Sequence, residues 1–269
     1  MSVPRQYTSP LRAVAFSNVL PESLRGSTDA VVLQTLSDFR LAMPKTMGLT
    51  QAEELQHTLQ EIYAAHGKDE VAQSAQDTLK VLETLRRVDP TRYQPANGAV
   101  YPNTDLGRGL KQVAALIKAQ VGLEVACLDK GGWDTHVAQG STTGWMAGNL
   151  TDLAQSLSAF TRDMGEGMQH IILVAMTEFG RRVRENSGLG TDHGRAGVMW
   201  LMGGGVQGGK VHARWPGLEP HQLEEPGDLK VTTDYRDVLA EVMLKRLGNP
   251  HVARVFPGYA LRPAGVVKG

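Results

Sequence analysis

The sequence predicts an α/β domain in which a mostly parallel sheet is flanked by helices and preceded by a helical hairpin region. Three observations carry that prediction. After Gly122, short apolar runs alternate with amphipathic stretches, as parallel strands joined by crossover helices require. Between Gln51 and Asp89, two apolar stripes recur at helical spacing. Carboxylates and imidazoles collect where the expected strands end, and in open sheets the crossover connections leave a functional crevice there.

At 269 residues, 41% apolar and 21% charged, the chain can bury a substantial core. It reads as one α/β domain over 1–269, with a partial, largely helical region at 1–104 and the α/β core at 105–269. Lys+Arg and Asp+Glu each number 28 and the pI is about 7.1, so no bulk charge draws the protein to nucleic acid or an anionic membrane. No stretch approaches the ~20 apolar residues of a membrane span. The single cysteine, Cys127, sits in the apolar run LEVACLD, which suits a small packed side chain and rules out an internal disulfide framework.

Residues 1 to about 48 carry four prolines and only brief apolar runs such as Leu11 to Phe16, with one short helix expected from Ala30 to Leu41. That stretch reads as an edge or a remnant. Leu55, Leu59, Ile62 and Tyr63 then mark one helix, and Val71, Ala75, Leu79, Leu82 and Leu85 a second, with His66-Gly67-Lys68 as the break between them. A loop from Pro90 to Asn103 leads to a helix showing Leu106, Leu110, Val113 and Ile117 on one face and stopping at Gly122. Leu123 to Leu128 is a strand, apolar apart from Glu124. Asn149 is expected to cap a helix striped by Leu150, Leu153, Leu157, Phe160 and Met164. His170 to Met176 and Val198 to Met202 are further buried strands. The last helix begins at Thr233 or Asp234, shows Tyr235, Val238, Leu239 and Val242, and ends at Gly248 ahead of Pro250.

The chemistry concentrates in three segments. The first strand runs into Trp133-Asp134-Thr135-His136, the second into Thr177-Glu178-Phe179-Gly180-Arg181-Arg182, and a glycine-bounded loop delivers Thr191-Asp192-His193-Gly194. Asp134, His136, Glu178, Asp192 and His193 are therefore the candidate metal ligands. Carboxylates and imidazoles without thiolates suit a divalent cation, and the imidazoles favour zinc or manganese over magnesium or calcium. Each element also has a structural reading: a capped turn for Asp-x-His, ion pairing of Glu178 with Arg181 or Arg182, and a polar loop for Asp192-His193. Their recurrence at successive strand ends, among glycines that let backbone approach a ligand, favours the metal.

Arg181 and Ser141 are the weaker catalytic candidates; hydroxyls in a GSTTG run usually serve turns and helix entries. Gly204 to Lys210 (GGVQGGK) matches the start of a phosphate-binding loop, but Val211 stands where Ser or Thr should be and KVHARW reads as a strand, which excludes it. His212, on an expected hairpin from Gly209 to Trp215, could approach the site. His57, His66, His221 and His251 take no role.

The segments GGWDTH, TEFGRRVREN, GTDHG, LMGGGVQGGKV, WPGL and VTTDYRDVLAEVMLKRLG resemble, in the same order, the bacterial family called domain of unknown function 1501, over most of residues 123 to 248. The resemblance implies membership of the alkaline phosphatase superfamily, which includes phosphatases, sulfatases, phosphodiesterases and cofactor-independent phosphoglycerate mutases. It implies an alkaline phosphatase-like parallel sheet with a metal site at its carboxyl edge, and a small-molecule phosphate or sulfate ester as substrate. By motif, Asp134 and His136 resemble a pair that binds one metal, and Glu178 and Asp192-His193 resemble the ligands found farther along. The spacing Asp-Thr-His replaces the usual Asp-x-x-x-His, and Glu178-Phe179-Gly180 stands where Asp-His-Gly is usual. Either Asp192-His193 has taken over that pair or the site has changed. Members of the family normally begin with an export signal, a strand ending in a glycine and aspartate ligand motif, and a Ser-His-Phe segment that places the nucleophile. The sequence carries none of these and is expected to be a shortened or partial member of an exported family.

Two functions follow as expectations. One is metal-assisted hydrolysis of phosphate or sulfate esters; the other is a non-catalytic metal-binding or assembly protein that keeps the fold. An incomplete piece with an exposed sheet edge is a third outcome.

Overall fold

The computed structural model describes residues 9–25, 30–37, 48–65, 69–88 and 92–268. The protein is mixed α/β, with a small parallel sheet and, among the described residues, six α-helices. It divides into two compact units, one of Gln6–Lys130 with Asp152–Asp163 and one of Gly131–Thr151 with Met164–Gly269.

In the first unit, β1 (Ala13–Phe16), β2 (Ala30–Leu33) and β3 (Val125–Leu128) form a parallel sheet in the order β2-β1-β3. Ala13 stands opposite Ala30 on one side and Val125 on the other. The helix expected from Ala30 is thus a strand over its first four residues, while residues 38–41 lie outside the described set. Two adjacent valines explain the correction, because β-branched side chains lose rotamer freedom in a helix and pack well on a pleated surface. Likewise, the run from Leu11 to Phe16 supplies the central strand of the sheet. Four residues are too few for alternation to announce this.

The helices α1 (Leu49–Ala65) and α2 (Glu70–Val88) form as the stripes predict; the break at 66–68 lies outside the described residues. Leu79, Leu82 and Leu85 of α2 are buried, whereas Leu55 and Ile62 of α1 remain exposed and Gln56 is turned inward. Thr104 caps α3 (Asp105–Lys118) by accepting the Gly107 N–H at 3.1 Å. The core joins Leu11, Val14, Leu33 and Leu36 to Val81 and Leu85 of α2 and to Ala115 and Leu116 of α3. Gly109 lets α3 lie close on the sheet, since a Cβ there would run into the Leu128 side chain.

One buried carboxylate ties distant parts of this unit together. Asp163 accepts from Tyr93 Oη at 2.7 Å, Tyr101 Oη at 2.8 Å and the Ala96 N–H at 2.7 Å, and it pairs with Lys118. Burial alone would raise its carboxyl, but Lys118, Tyr93, Ala96 and Tyr101 together hold it below the usual carboxylate range. Burial, followed by the hydrogen bond to Asp163, pushes both phenols up.

In the second unit, β4 (Ile172–Ala175) pairs with β7 (Trp200–Gly203) antiparallel, not parallel as the sequence suggests. A parallel pair needs a crossover, usually a helix, and the connection between these strands holds only the short antiparallel pair β5 (Gly180–Arg181) and β6 (His193–Gly194). Helix α4 (Trp145–Met164) starts ahead of Asn149, so Asn149 is no cap; its amide donates instead to the Gly132 carbonyl. Asp234 does cap α5 (Tyr235–Lys245), accepting the Arg236 N–H at 2.9 Å. Val238 and Val242 of α5 pack with Val266 and Val267 against Ile172, Met199 and Leu201.

Glu241, also on α5, accepts the Val266 and Val267 N–H groups at 3.0 and 3.1 Å, the Gly265 N–H at 2.5 Å and Lys245 at 3.4 Å. Burial would raise its carboxyl, and those donors hold it below the usual range. The short helix α6 (Val252–Val255) follows. Residues 211–217 form no strand, so the expected hairpin is absent, and His212 Nε2 lies 2.9 Å from the Gln207 carbonyl oxygen. Among the described residues no helix is long and apolar enough to cross a membrane.

Asp163→Asn is expected to cost about 3 kcal/mol in denaturant unfolding, because it removes the charge that three donors and Lys118 were built around. The Asp163 carboxyl ionises more readily folded than unfolded. Its stabilisation is therefore complete above the ordinary carboxylate range and is lost as pH falls below about 4. The acid limb of the stability profile should be shallower in Asp163→Asn than in the unaltered chain, and equal slopes would refute this role.

Candidate metal centre

Asp134 and His136 are two positions apart in an irregular segment, and their ligand atoms meet at 3.0 Å. The local turn is tight, with the Thr135 and His136 N–H groups bonding to the Trp133 and Asp134 carbonyls at 2.9 and 3.1 Å. His193 arrives from β6, where it stands opposite Arg181 of β5. Glycine makes that pairing possible: a Cβ on Gly180 would run into the Ala196 carbonyl, and one on Gly194 would lie 2.7 Å from the Arg181 carbonyl carbon.

Two loop segments lock the arrangement. The Ala138 and Gln139 N–H groups each bond at 2.9 Å to the carbonyls of Gly188 and Leu189, and the Thr191 N–H bonds to the Thr135 carbonyl at 3.2 Å. Gln139 Oε1 accepts from the Thr135 and Thr191 hydroxyls at 2.8 and 2.7 Å. Arg181 spans the contact, donating to the Thr191 and Trp133 carbonyls and to Asp134 Oδ1 at 3.2 Å. It acts as a brace.

Three ligand atoms converge. Asp134 Oδ1 lies 2.7 Å from His193 Nε2 and 3.0 Å from His136 Nε2, and the two nitrogens are 3.1 Å apart. Three donors about 2.1 Å from one ion stand about 3.0 Å apart in an octahedral arrangement and about 3.4 Å apart in a tetrahedral one, so this triangle has the size of an octahedral metal's face. Asp134, His136 and His193 are the group of ligand side chains that could hold an ion among the described residues. All three are partly or largely open to solvent. The hydrogen bond from His193 does most to hold the Asp134 carboxyl below its ordinary range, and the neighbouring His136 and Arg181 add to it. Phe179 stacks against His193 with ring centroids 4.3 Å apart and restrains that imidazole from the side.

The other sequence candidates stand elsewhere. Asp192 lies behind His136, with Oδ1 3.3 Å from His136 Nδ1. Glu178 is exposed and accepts from its neighbour Thr177 at 3.1 Å, apart from the converging triad. Ser141 is exposed in the turn closed by its N–H to the Thr143 carbonyl at 3.0 Å. Asn186 was not among the sequence candidates, yet its Nδ2 donates to Asp192 Oδ1 at 2.9 Å and does most to hold the Asp192 carboxyl low, ahead of His136 and Arg182. The available signal was an Asn followed by Gly at its second and fourth positions, the pattern of a side chain folding back on its own backbone.

Gly180→Ala is expected to lower stability by about 1–3 kcal/mol through overpacking against Ala196. Gly208→Ala, at a position with open space, should be near neutral. Comparing the two unfolding midpoints checks the claim that β5 has no room for a side chain.

No curated protein and no solved structure matches the chain. The family described as protein of unknown function, DUF1501, matches residues 9–266, nearly the whole sequence, and the chain belongs to that family.

Proposed function

We propose that this protein is a metal-dependent hydrolase of small-molecule phosphate or sulfate esters, related to the alkaline phosphatase superfamily. The observation that carries the reading is the convergence of Asp134 Oδ1, His136 Nε2 and His193 Nε2 within 3.1 Å of one another. Two imidazoles and a carboxylate, with no thiolate, suit zinc or manganese. Three protein ligands also leave coordination positions open, the pattern of catalytic rather than structural sites. When bound, such an ion polarises an ester oxygen and lowers the pKa of water.

The chain's own groups do the rest. Asp134, kept ionised by its neighbours, supplies the negative charge that draws the cation. His136 and His193 present imidazole nitrogens toward the same point. Arg181 fixes the distance between the Asp134 and His193 segments, and solvent exposure of the triad gives an ester direct access.

A second reading has one observation in its favour. The nearby guanidinium groups already face acceptors, Arg181 hydrogen-bonded to two carbonyls and Asp134, and Arg182 in longer ion pairs with Asp192 at 3.8 Å and Asp228 at 3.7 Å. An anionic ester would gain little from either, which favours a non-catalytic metal-binding protein.

Elemental analysis of the purified chain is expected to find zinc or manganese near one equivalent, with aryl phosphate or sulfate turnover that chelation removes. Asp134→Ala and His193→Ala should both lose the ion while the unfolding midpoint changes little. Retention of the metal by both variants would sink the site, whereas a bound metal without turnover across the ester panel would establish the second reading.

A further inference from the structure

The triad poses a problem of protons. His136 Nε2 and His193 Nε2 face each other at 3.1 Å, so they cannot both carry hydrogen. Asp134 Oδ1 lies 2.7 Å from His193 Nε2 and 3.0 Å from His136 Nε2; the shorter contact assigns the hydrogen to His193 and the bare Nε2 to His136. A neutral imidazole with a bare Nε2 carries its hydrogen on Nδ1, and Asp192 Oδ1 stands 3.3 Å from that atom.

Asp192 is itself held from behind. Asn186 Nδ2 donates to Asp192 Oδ1 at 2.9 Å. The orientation of that amide is determined by the chain, because Asn186 Oδ1 accepts the Gly188 and Gly190 N–H groups at 2.9 and 3.1 Å. The NH2 end must then point toward Asp192. Arg182 lies 3.8 Å from the other carboxylate oxygen, and the Arg182 N–H bonds the Asp192 carbonyl at 3.0 Å. The turn is closed by the Asn186 N–H on the Gly190 carbonyl at 2.8 Å, with Leu189 in the left-handed region at φ 60°.

We propose that Asp192 is a positioning residue and not a metal ligand: the relay from Asn186 through Asp192 to His136 Nδ1 selects the tautomer that presents Nε2 to the ion. This inference rests on the metal site proposed above. It departs from the sequence-based expectation, in which Asp192 joins His193 as a ligand pair. Carboxylates placed behind a ligating imidazole fix its orientation and raise its basicity, and their loss costs about 10–100-fold in metal affinity.

Two measurements test it. In the metal-free protein, long-range nitrogen–proton NMR, at a pH where both imidazoles are neutral, is expected to show His136 as the Nδ1–H tautomer; the Nε2–H tautomer would overturn the proposal. Because no ion is involved, that result stands apart from whether the unaltered chain binds cobalt(II) or zinc at all, which tests the site itself.

The second is a cobalt(II) titration followed by absorption. Asp192→Leu is expected to bind about 10–100-fold more weakly. Asp192→Asn, which keeps an acceptor for Nδ1–H, should recover most of the affinity with the absorption spectrum unchanged. Loss in Asp192→Asn as severe as in Asp134→Ala would make Asp192 a ligand and overturn the proposal. Full affinity in Asp192→Leu would overturn it equally.

Discussion

Between residues 135–139 and 188–191 the chain runs backbone against backbone, with no space for a side chain at the points of closest approach. A Cβ on Gly190 would strike the His136 carbonyl group, and one on Gly188 would sit 2.9 Å from the His136 carbonyl oxygen. That contact sets the position of Asp134 and His136 on one side and of Asp192 and His193 on the other. The hydrogen bonds across it, with Gln139 and Arg181 as braces, convert two irregular segments into a rigid frame. Irregular backbone satisfied in this way can hold side chains nearly as well as a strand can.

Each unit also contains a buried carboxylate surrounded by donors. Asp163 gathers two phenols, a backbone N–H and Lys118; Glu241 gathers the C-terminal segment onto α5. An unpaired buried charge would be severely unfavourable, so these positions specify their partners more sharply than apolar contacts do. The candidate metal centre is the opposite case. Its carboxylate, Asp134, is exposed, and its definition comes from backbone geometry rather than burial.

Much of this was legible in the sequence, and the exceptions have physical reasons. Helices α2, α3 and α5 announce themselves through apolar stripes, and Asp234 through its capping chemistry. Thr104 follows the same capping rule at the head of α3. The strands β1 and β2 do not, since four residues give no period, and Ala30–Leu33 could be read as the start of a helix until its pairing with β1 is seen. The antiparallel β4–β7 pair was hidden because strand polarity depends on the connection between strands and not on their composition. Asp134, His136 and His193 stood out because metal chemistry needs those residue types. Glu178 stood out for the same reason, and its exposed place beside Thr177 reflects contacts that spacing does not encode. The part played by Asn186 depends on where two glycine N–H groups point, which only the folded turn reveals.

The pairing of β1 with β3 bears on how the molecule reaches this state. Next to that pairing, Arg12 meets Glu124 across 112 positions of chain, at 2.6 Å. Loop-closure entropy must be met before such a contact can form, so high contact order makes parallel pairing slow relative to the local helices α1, α2 and α3. During synthesis, β1 emerges long before β3 and waits with the apolar Val14 and Ala15 unpaired on one flank. The central strand of the parallel sheet is thus made well before its partner β3, and its interval of exposure is set by the time the ribosome takes to deliver the three helices between.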